Sequence, residues 1–205
     1  MAYHIVKEFE EAVARYAGAP YAVAVESESA ALLLCCMYRR VGTVTIPCRT
    51  YPSVPCSILL AGGTVEFVDE PWSGIYELRP YGIWDGALRF RRGMYAGGLH
   101  CVSFHMKKHL PIGRGGMVLT DDAKAARWLR LARFDGREEV GLGEQRVFDV
   151  IGINAYMTPE QAVRGLQLLA VHRDSGDMDA AEQGYPDLSL SPVYRHPVFV
   201  GQPCV

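Results

Sequence analysis

The sequence predicts an α/β fold, a three-layer α/β/α arrangement around a mostly parallel sheet, on three observations. Short apolar runs compatible with strands alternate with segments of helical periodicity from Tyr21 to Val68. The chain has 205 residues, which suits one core and would cramp two. Apolar residues make up 49% of it and charged residues 21%, enough of the former to bury a core.

The elements follow in order. Val6, Phe9, Ala12, Val13 and Tyr16 recur at three- and four-residue spacings, with Lys7, Glu8, Glu10, Glu11 and Arg15 between them, so an amphipathic helix is predicted over 5–16. Gly18-Ala19-Pro20 stops it before a strand at 21–25 and a polar turn, Glu26-Ser27-Glu28-Ser29. A buried helix over 30–40, a strand at 43–46, a helix over 53–60 and a strand at 64–68 continue the alternation. Short strands are expected at 82–84, 101–104 and 117–119, then a helix from Asp122 to about Arg133 behind the Asp121-Asp122 cap. Glycines and charges make 136–145 a loop. Thr158-Pro159-Glu160-Gln161 combines an N-cap, a proline at the first helical position and a capping box, opening a helix to about His172. The Asp-, Gly-, Ser- and Pro-rich segment 174–205 reads as an irregular tail.

Composition excludes several function classes. The 21 Lys and Arg against 23 Asp and Glu leave a net charge of −2, without the basic footprint that nucleic acid or an anionic membrane demands. The uncharged stretch 50–65 is broken by prolines and glycines and is too short for a bilayer span. The first residues show no secretory pattern, and Cys35, Cys36, Cys48, Cys56, Cys101 and Cys204 form no Cys-x-x-Cys pair, which points to reduced thiols in a cytoplasmic protein without a metal site.

Three places carry polar chemistry at strand ends, where free N–H groups and the helix dipole favour anions. Ser27 and Ser29, beside small Ala30 and Ala31, read either as phosphate ligands or as a simple helix cap. Asp85 ends an apolar strand, either pairing with a protonated ring nitrogen or capping a turn. Ser103-Phe104-His105-Met106-Lys107-Lys108 runs into a glycine-rich loop ending Gly113-Arg114-Gly115-Gly116, a nucleophile-bearing segment or a basic surface loop.

Together these segments resemble the DegT/DnrJ/EryC1/StrS family, sugar aminotransferases of fold type I that use pyridoxal phosphate. The resemblance runs through Phe9-Glu10, Ala14, Tyr16 and Gly18, the Ser27-Glu28-Ser29-Ala30-Ala31-Leu32 turn, Pro47 with Thr50-Tyr51-Pro52-Ser53, and Gly62 with Phe67-Val68-Asp69. It continues through Asp85, Ser103-Phe104-His105-x-x-Lys108, and Gly152-Ile153-Asn154-Ala155-Tyr156-Met157. It implies that residues 1–173 form a transferase-like large domain. It also implies that Lys108 bonds the cofactor and moves the proton, that Asp85 meets the pyridine nitrogen, and that Tyr51 stacks on the ring. Ser27, Ser29, Ala30 and Ser103 hold the phosphate, and Asn154 reaches the phosphate of a second subunit in a homodimer with shared sites. The implied reaction moves an amino group from a small donor, glutamate, to a nucleotide-linked keto sugar. The sequence departs from the family at Glu28, where the phosphate turn has glycine, at Leu88 and Tyr156, where polar residues are usual, and in lacking a small C-terminal domain. Those departures leave a second expectation open, a DegT-like binding or scaffold protein without turnover. An unrelated nucleotide-binding protein ranks last, because no Walker or dinucleotide fingerprint is present.

Overall fold

The computed structural model describes residues 4–140, 144 and 147–195, so Cys204 and residues 196–205 of the expected tail lie outside the described residues. Helix α1 (His4–Ala17) precedes strand β1 (Tyr21–Val25), helix α2 (Glu28–Arg39), strand β2 (Thr43–Pro47), helix α3 (Ser53–Leu60) and strand β3 (Thr64–Val68). Strands β4 (Tyr76–Leu78), β5 (Ile83–Asp85), β6 (Leu99–Ser103) and β7 (Gly116–Thr120) follow, then helices α4 (Ala123–Ala132) and α5 (Pro159–Val171). Ser27, Asp122 and Thr158 cap α2, α4 and α5 with their side chains, and the Thr158/Gln161 capping box is complete.

The fold is α/β, but the sheet is mixed rather than mostly parallel. Its five-stranded part runs β1-β7-β6-β5-β4, in which only β5 and β6 are parallel. Parallel β2 and β3 form a separate pair, joined to the β4 end through an antiparallel bridge between Thr45 and Arg79. Strand β7 runs against both β1 and β6, and connection length explains the third antiparallel contact, between β4 and β5. A parallel return needs a crossover of about a dozen residues or more, yet only Arg79–Gly82 separates β4 from β5, so the chain turns straight back as a hairpin. Strand β4 was not foreseen in the sequence, because three residues, Tyr76-Glu77-Leu78, carry too little periodicity to register.

Alternation along β1 divides the core. Val23 and Val25 face a cluster containing Leu32, Leu34 and Cys35 of α2 and Leu129 of α4. Ala22 and Ala24 face the opposite cluster, with Phe9 and Val13 of α1 and Ala162 of α5. Helices thus cover the sheet on both sides, and the strands present their ends along one rim.

Glu10 does not take the solvent-facing position its place among charged neighbours implied; it is 2% exposed. Its carboxylate accepts from the Ala24 backbone N–H at 2.9 Å, from Arg133, and from Arg130 at 3.2 Å. Arg133, also buried, continues to Ala24 O and to Glu139. The pair ties α1 to β1 and to the end of α4, and its members are costly apart because each leaves a desolvated charge behind. Replacing Glu10 with Ala is therefore expected to destabilise the fold by about 3–5 kcal/mol in urea unfolding, with an unchanged dependence on denaturant concentration.

Candidate active site

Strands β1, β5 and β6 run the same way, and their carboxyl ends deliver Ser27, Asp85 and Ser103 to one rim of the sheet. The β1 to α2 connection is held in place from below: a Cβ on Gly116 would lie 2.5 Å from the Ser27 carbonyl carbon and 2.6 Å from Glu28 N. Only glycine lets β7 approach that turn so closely.

Ser27 Oγ accepts from Ala30 N at 3.2 Å, so the cap reading holds for this serine. Ser29 Oγ donates to Ser53 Oγ at 2.8 Å, linking the start of α2 to α3. Ala30 is buried behind them. Ser103 is 7% exposed, with its hydroxyl accepting from His105 N at 3.4 Å. Three hydroxyls and the free N–H groups of the α2 N-terminus thus belong to one end of the rim.

Asp85 lies at the other end, 2% exposed. Its Oδ1 accepts from Ala87 N at 3.0 Å, a turn cap, and its Oδ2 accepts from the Tyr76 hydroxyl at 2.9 Å. Because Tyr76 gives its one proton to Asp85, the Thr50 hydroxyl 2.6 Å away must donate to Tyr76 in turn. Burial and the nearby Asp85 charge push the Tyr76 phenol well above its ordinary range, so it stays a donor. The turn-cap reading of Asp85 therefore holds for one oxygen, and the other takes part in a buried polar chain.

The turn after β6 separates the two lysines. Lys107 is exposed, while Lys108 is half-buried and stands close enough to Glu28 for its charge to favour that residue's ionised form. Glu28 itself turns inward from the first position of α2. Its Oε1 is buried without a partner among the described residues, and its carboxyl reaches hydrogen-bonding range of Asp85. Burial first and the Asp85 charge second raise the Glu28 carboxyl well above the usual carboxylate range, so it holds a proton.

Aromatic residues cover this rim, and sequence reasoning found only one of them. Tyr51, 57% exposed, meets Tyr185 edge to face at 6.4 Å, and Tyr185 stacks on Trp72 at 6.2 Å. Trp72 in turn packs on Tyr76 at 4.6 Å. Tyr185 arrives from the segment after α5, which is fastened across the strand ends. Arg89 grips Asp177 with Nε at 2.9 Å, Met178 N donates to Leu88 O, and Leu188 N donates to Cys48 O. Leu88 is fully buried against Ala180 of the same segment. The Trp72/Tyr76 spacing of four was the one available signal; Tyr185 had none.

Asn154 does not join this rim in its own chain. It is exposed and donates to Asp135 at 3.3 Å. A cavity of about 480 Å³ between α1 and α4, lined by residues including Glu10, Tyr21, Arg130 and Arg133, lies away from Asp85 and Lys108 and carries balanced charge. The rim, by contrast, carries a buried carboxyl at Asp85 and a half-buried lysine at Lys108.

A family model, the DegT/DnrJ/EryC1/StrS aminotransferase family, matches residues 1–73 and 91–174. The chain belongs to this family. The unmatched interval holds β4, β5 and Asp85. No curated protein gives a significant match. Among solved structures, a DegT/DnrJ/EryC1/StrS aminotransferase from Brucella abortus superposes with a TM-score of 0.76 at 20% identity, covering 94% of this chain and 79% of that one. DesI, solved in the presence of its TDP-sugar product, gives 0.67 at 24% identity over 82% of this chain and 53% of its own. The ntda protein of Bacillus subtilis, with bound cofactor PMP, gives 0.66 at 20% identity over 80% and 47%. The chain thus spans most of the first relative and about half of the other two. The family's cofactor is pyridoxal phosphate, and no described helix is long and apolar enough to cross a membrane.

The donor set fits that cofactor. Serine hydroxyls at a helix N-terminus suit a phosphate, a buried carboxylate suits a ring nitrogen, and a half-buried lysine suits a carbonyl carbon. One residue lies across the fit, the Glu28 side chain. Gly116→Ala should disturb the phosphate end selectively: its Cβ forces the Ser27-Glu28 backbone away at a cost of about 1–3 kcal/mol. Thermal unfolding with and without inorganic phosphate checks both the loss of stability and the loss of any phosphate-dependent gain.

Proposed function

We propose that the protein is a pyridoxal-phosphate-dependent aminotransferase that moves an amino group from glutamate to a nucleotide-linked keto sugar. The observation that supports this reading is that Ser27, Asp85 and Ser103 stand at strand ends on one rim of the sheet, with half-buried Lys108 in the turn after β6. DesI, a structural relative, was solved with a TDP-sugar product, which supports the acceptor class.

In this reading Ser27, Ser29, Ser103 and the Ala30 end of α2 take the phosphate, and Tyr51 packs its ring against the cofactor. Bound there, the cofactor supplies an electron sink that makes the donor's α-hydrogen acidic. Asp85 holds the proton on the ring nitrogen, with Tyr76 fixing the carboxylate's orientation. Lys108 Nζ would take the donor's α-proton as a base and return it as an acid. The aromatic cover of Trp72 and Tyr185 keeps water from Asp85.

In this reading residues 1–173 act as a three-layer transferase-like large domain, with the segment 174–195 fastened across its rim. The reading includes a homodimer with shared sites, in which exposed Asn154 would exchange its bond to Asp135 for a second subunit's phosphate. Four buried free thiols, Cys35, Cys36, Cys48 and Cys101, support a reducing, cytoplasmic setting. One observation favours a second reading, a DegT-like scaffold without turnover: the Glu28 carboxyl already engages Asp85.

Lys108→Ala is expected to abolish the visible band that forms with added pyridoxal phosphate. Borohydride followed by mass spectrometry should place the cofactor on Lys108 and not Lys107; recovery on Lys107 refutes the assignment. Asp85→Asn should retain the fold yet slow the glutamate half-reaction by about 100-fold or more. Sedimentation should give twice the 22.7 kDa chain mass, with Asn154→Ala weakening cofactor retention; a monomer binding the cofactor tightly removes the shared site.

A further inference from the structure

The slot between the phosphate end and Asp85 is crossed by one side chain that neither catalysis nor folding explains. Glu28 starts α2, beside the Ser27 and Ser29 hydroxyls, and its carboxyl ends beside Asp85. A glutamate at the first helical position ordinarily points to water, where it meets the helix dipole at no desolvation cost. This one instead buries Oε1 without a partner. Its backbone lies close against Gly116, where a Cβ would stand 2.6 Å from Glu28 N.

Two carboxyl groups in hydrogen-bonding range cannot both be ionised in a buried site, so one proton is shared between them. Asp85 already accepts from Tyr76 and Ala87 N with its two oxygens, and burial raises the Glu28 carboxyl, so the proton is assigned to Glu28. A protonated carboxyl presented to Asp85 is chemically equivalent to a pyridinium N–H presented to Asp85. Each is a single acidic donor aimed at the same buried carboxylate.

We propose that Glu28 is an internal competitor for the cofactor ring, donating to Asp85 in the ring nitrogen's stead and setting how readily pyridoxal phosphate enters. The proposal deepens the transaminase reading and rests on it for the identity of the competing ligand. Cofactor affinity is then reduced by the fraction of molecules in which Glu28 is withdrawn from Asp85. The titratable groups facing Glu28 are Asp85 on β5, Tyr76 on β4, Cys101 on β6, Lys108 after β6 and Tyr185 from the tail. Lys108 is the one cation among them and favours ionised Glu28; burial and Asp85 outweigh it.

The sign of the pH effect follows. A carboxyl raised above its ordinary value of 4.5 stabilises the fold fully below that value and loses the contribution as pH rises through the raised value. Glutamine at this position keeps an N–H donor for Asp85 at every pH.

The test compares wild type, Glu28→Gly, Glu28→Gln and Lys108→Ala after removal of any cofactor. Pyridoxal phosphate titrations followed by the visible band should show Glu28→Gly binding about tenfold tighter than wild type, with no band in Lys108→Ala. Equal affinity in wild type and Glu28→Gly overturns the competitor and leaves the transaminase reading standing. Absence of a band in every variant overturns the transaminase reading instead. The competitor is then decided by a second measurement, thermal unfolding from about pH 5 to about pH 9 without cofactor. Wild-type stability should fall with pH relative to Glu28→Gln; parallel curves overturn the shared proton and with it the proposal.

Discussion

Burial of the Asp85 carboxylate at the end of a central strand is the constraint around which this rim of the molecule is organised. A charge withdrawn from water must be met by donors on every side or it costs several kcal/mol. Tyr76 supplies one donor because β4 folds back antiparallel on β5 and brings its hydroxyl to Oδ2. Ala87 N supplies another because the chain turns immediately after the strand. Thr50, from the segment before α3, orients Tyr76. The remaining direction opens toward Lys108 and is the one that Glu28 enters.

The hairpin that delivers Tyr76 adds one antiparallel contact to a sheet in which β7 already runs against β1 and β6. A short connection between β4 and β5 leaves no room for a crossover helix, so that hairpin and the support of Asp85 have a common cause. The family match breaks over the same interval. The chain therefore keeps its relatives' architecture at both ends of the site while building the floor beneath Asp85 with a local arrangement.

The segment after α5 has a similar economy. Asp177 and Met178 attach it to Arg89 and Leu88, and Leu188 attaches it to Cys48. Between those anchors Tyr185 is pressed against Trp72, where burial and the charges of Asp85 and Glu28 push its phenol up. A stretch of about twenty residues thus covers an apolar rim that would otherwise be exposed, and Leu88 becomes core because that stretch lies on it.

Much of the fold was legible in the residues. The helical spacing of Val6, Phe9, Val13 and Tyr16, the strand at 21–25, the Asp122 and Thr158 caps and the helix from Pro159 all stand where local chemistry puts them. These are short-range effects, of backbone hydrogen bonding and side-chain period, and neighbours along the chain determine them. The placement of Ser27, Asp85, Ser103 and Lys108 along one rim was legible too, through their positions at strand ends. Tertiary structure alone decided three things. It buried Glu10, because Arg133 comes to meet it from a residue more than a hundred positions away. It made the sheet mixed, because β7 runs against β1 and β6 and β4 against β5, directions that the period along a strand does not specify. It turned Glu28 inward and set Tyr185 over the site, because the energy of a buried carboxyl or an aromatic stack depends on partners that sequence distance does not reveal.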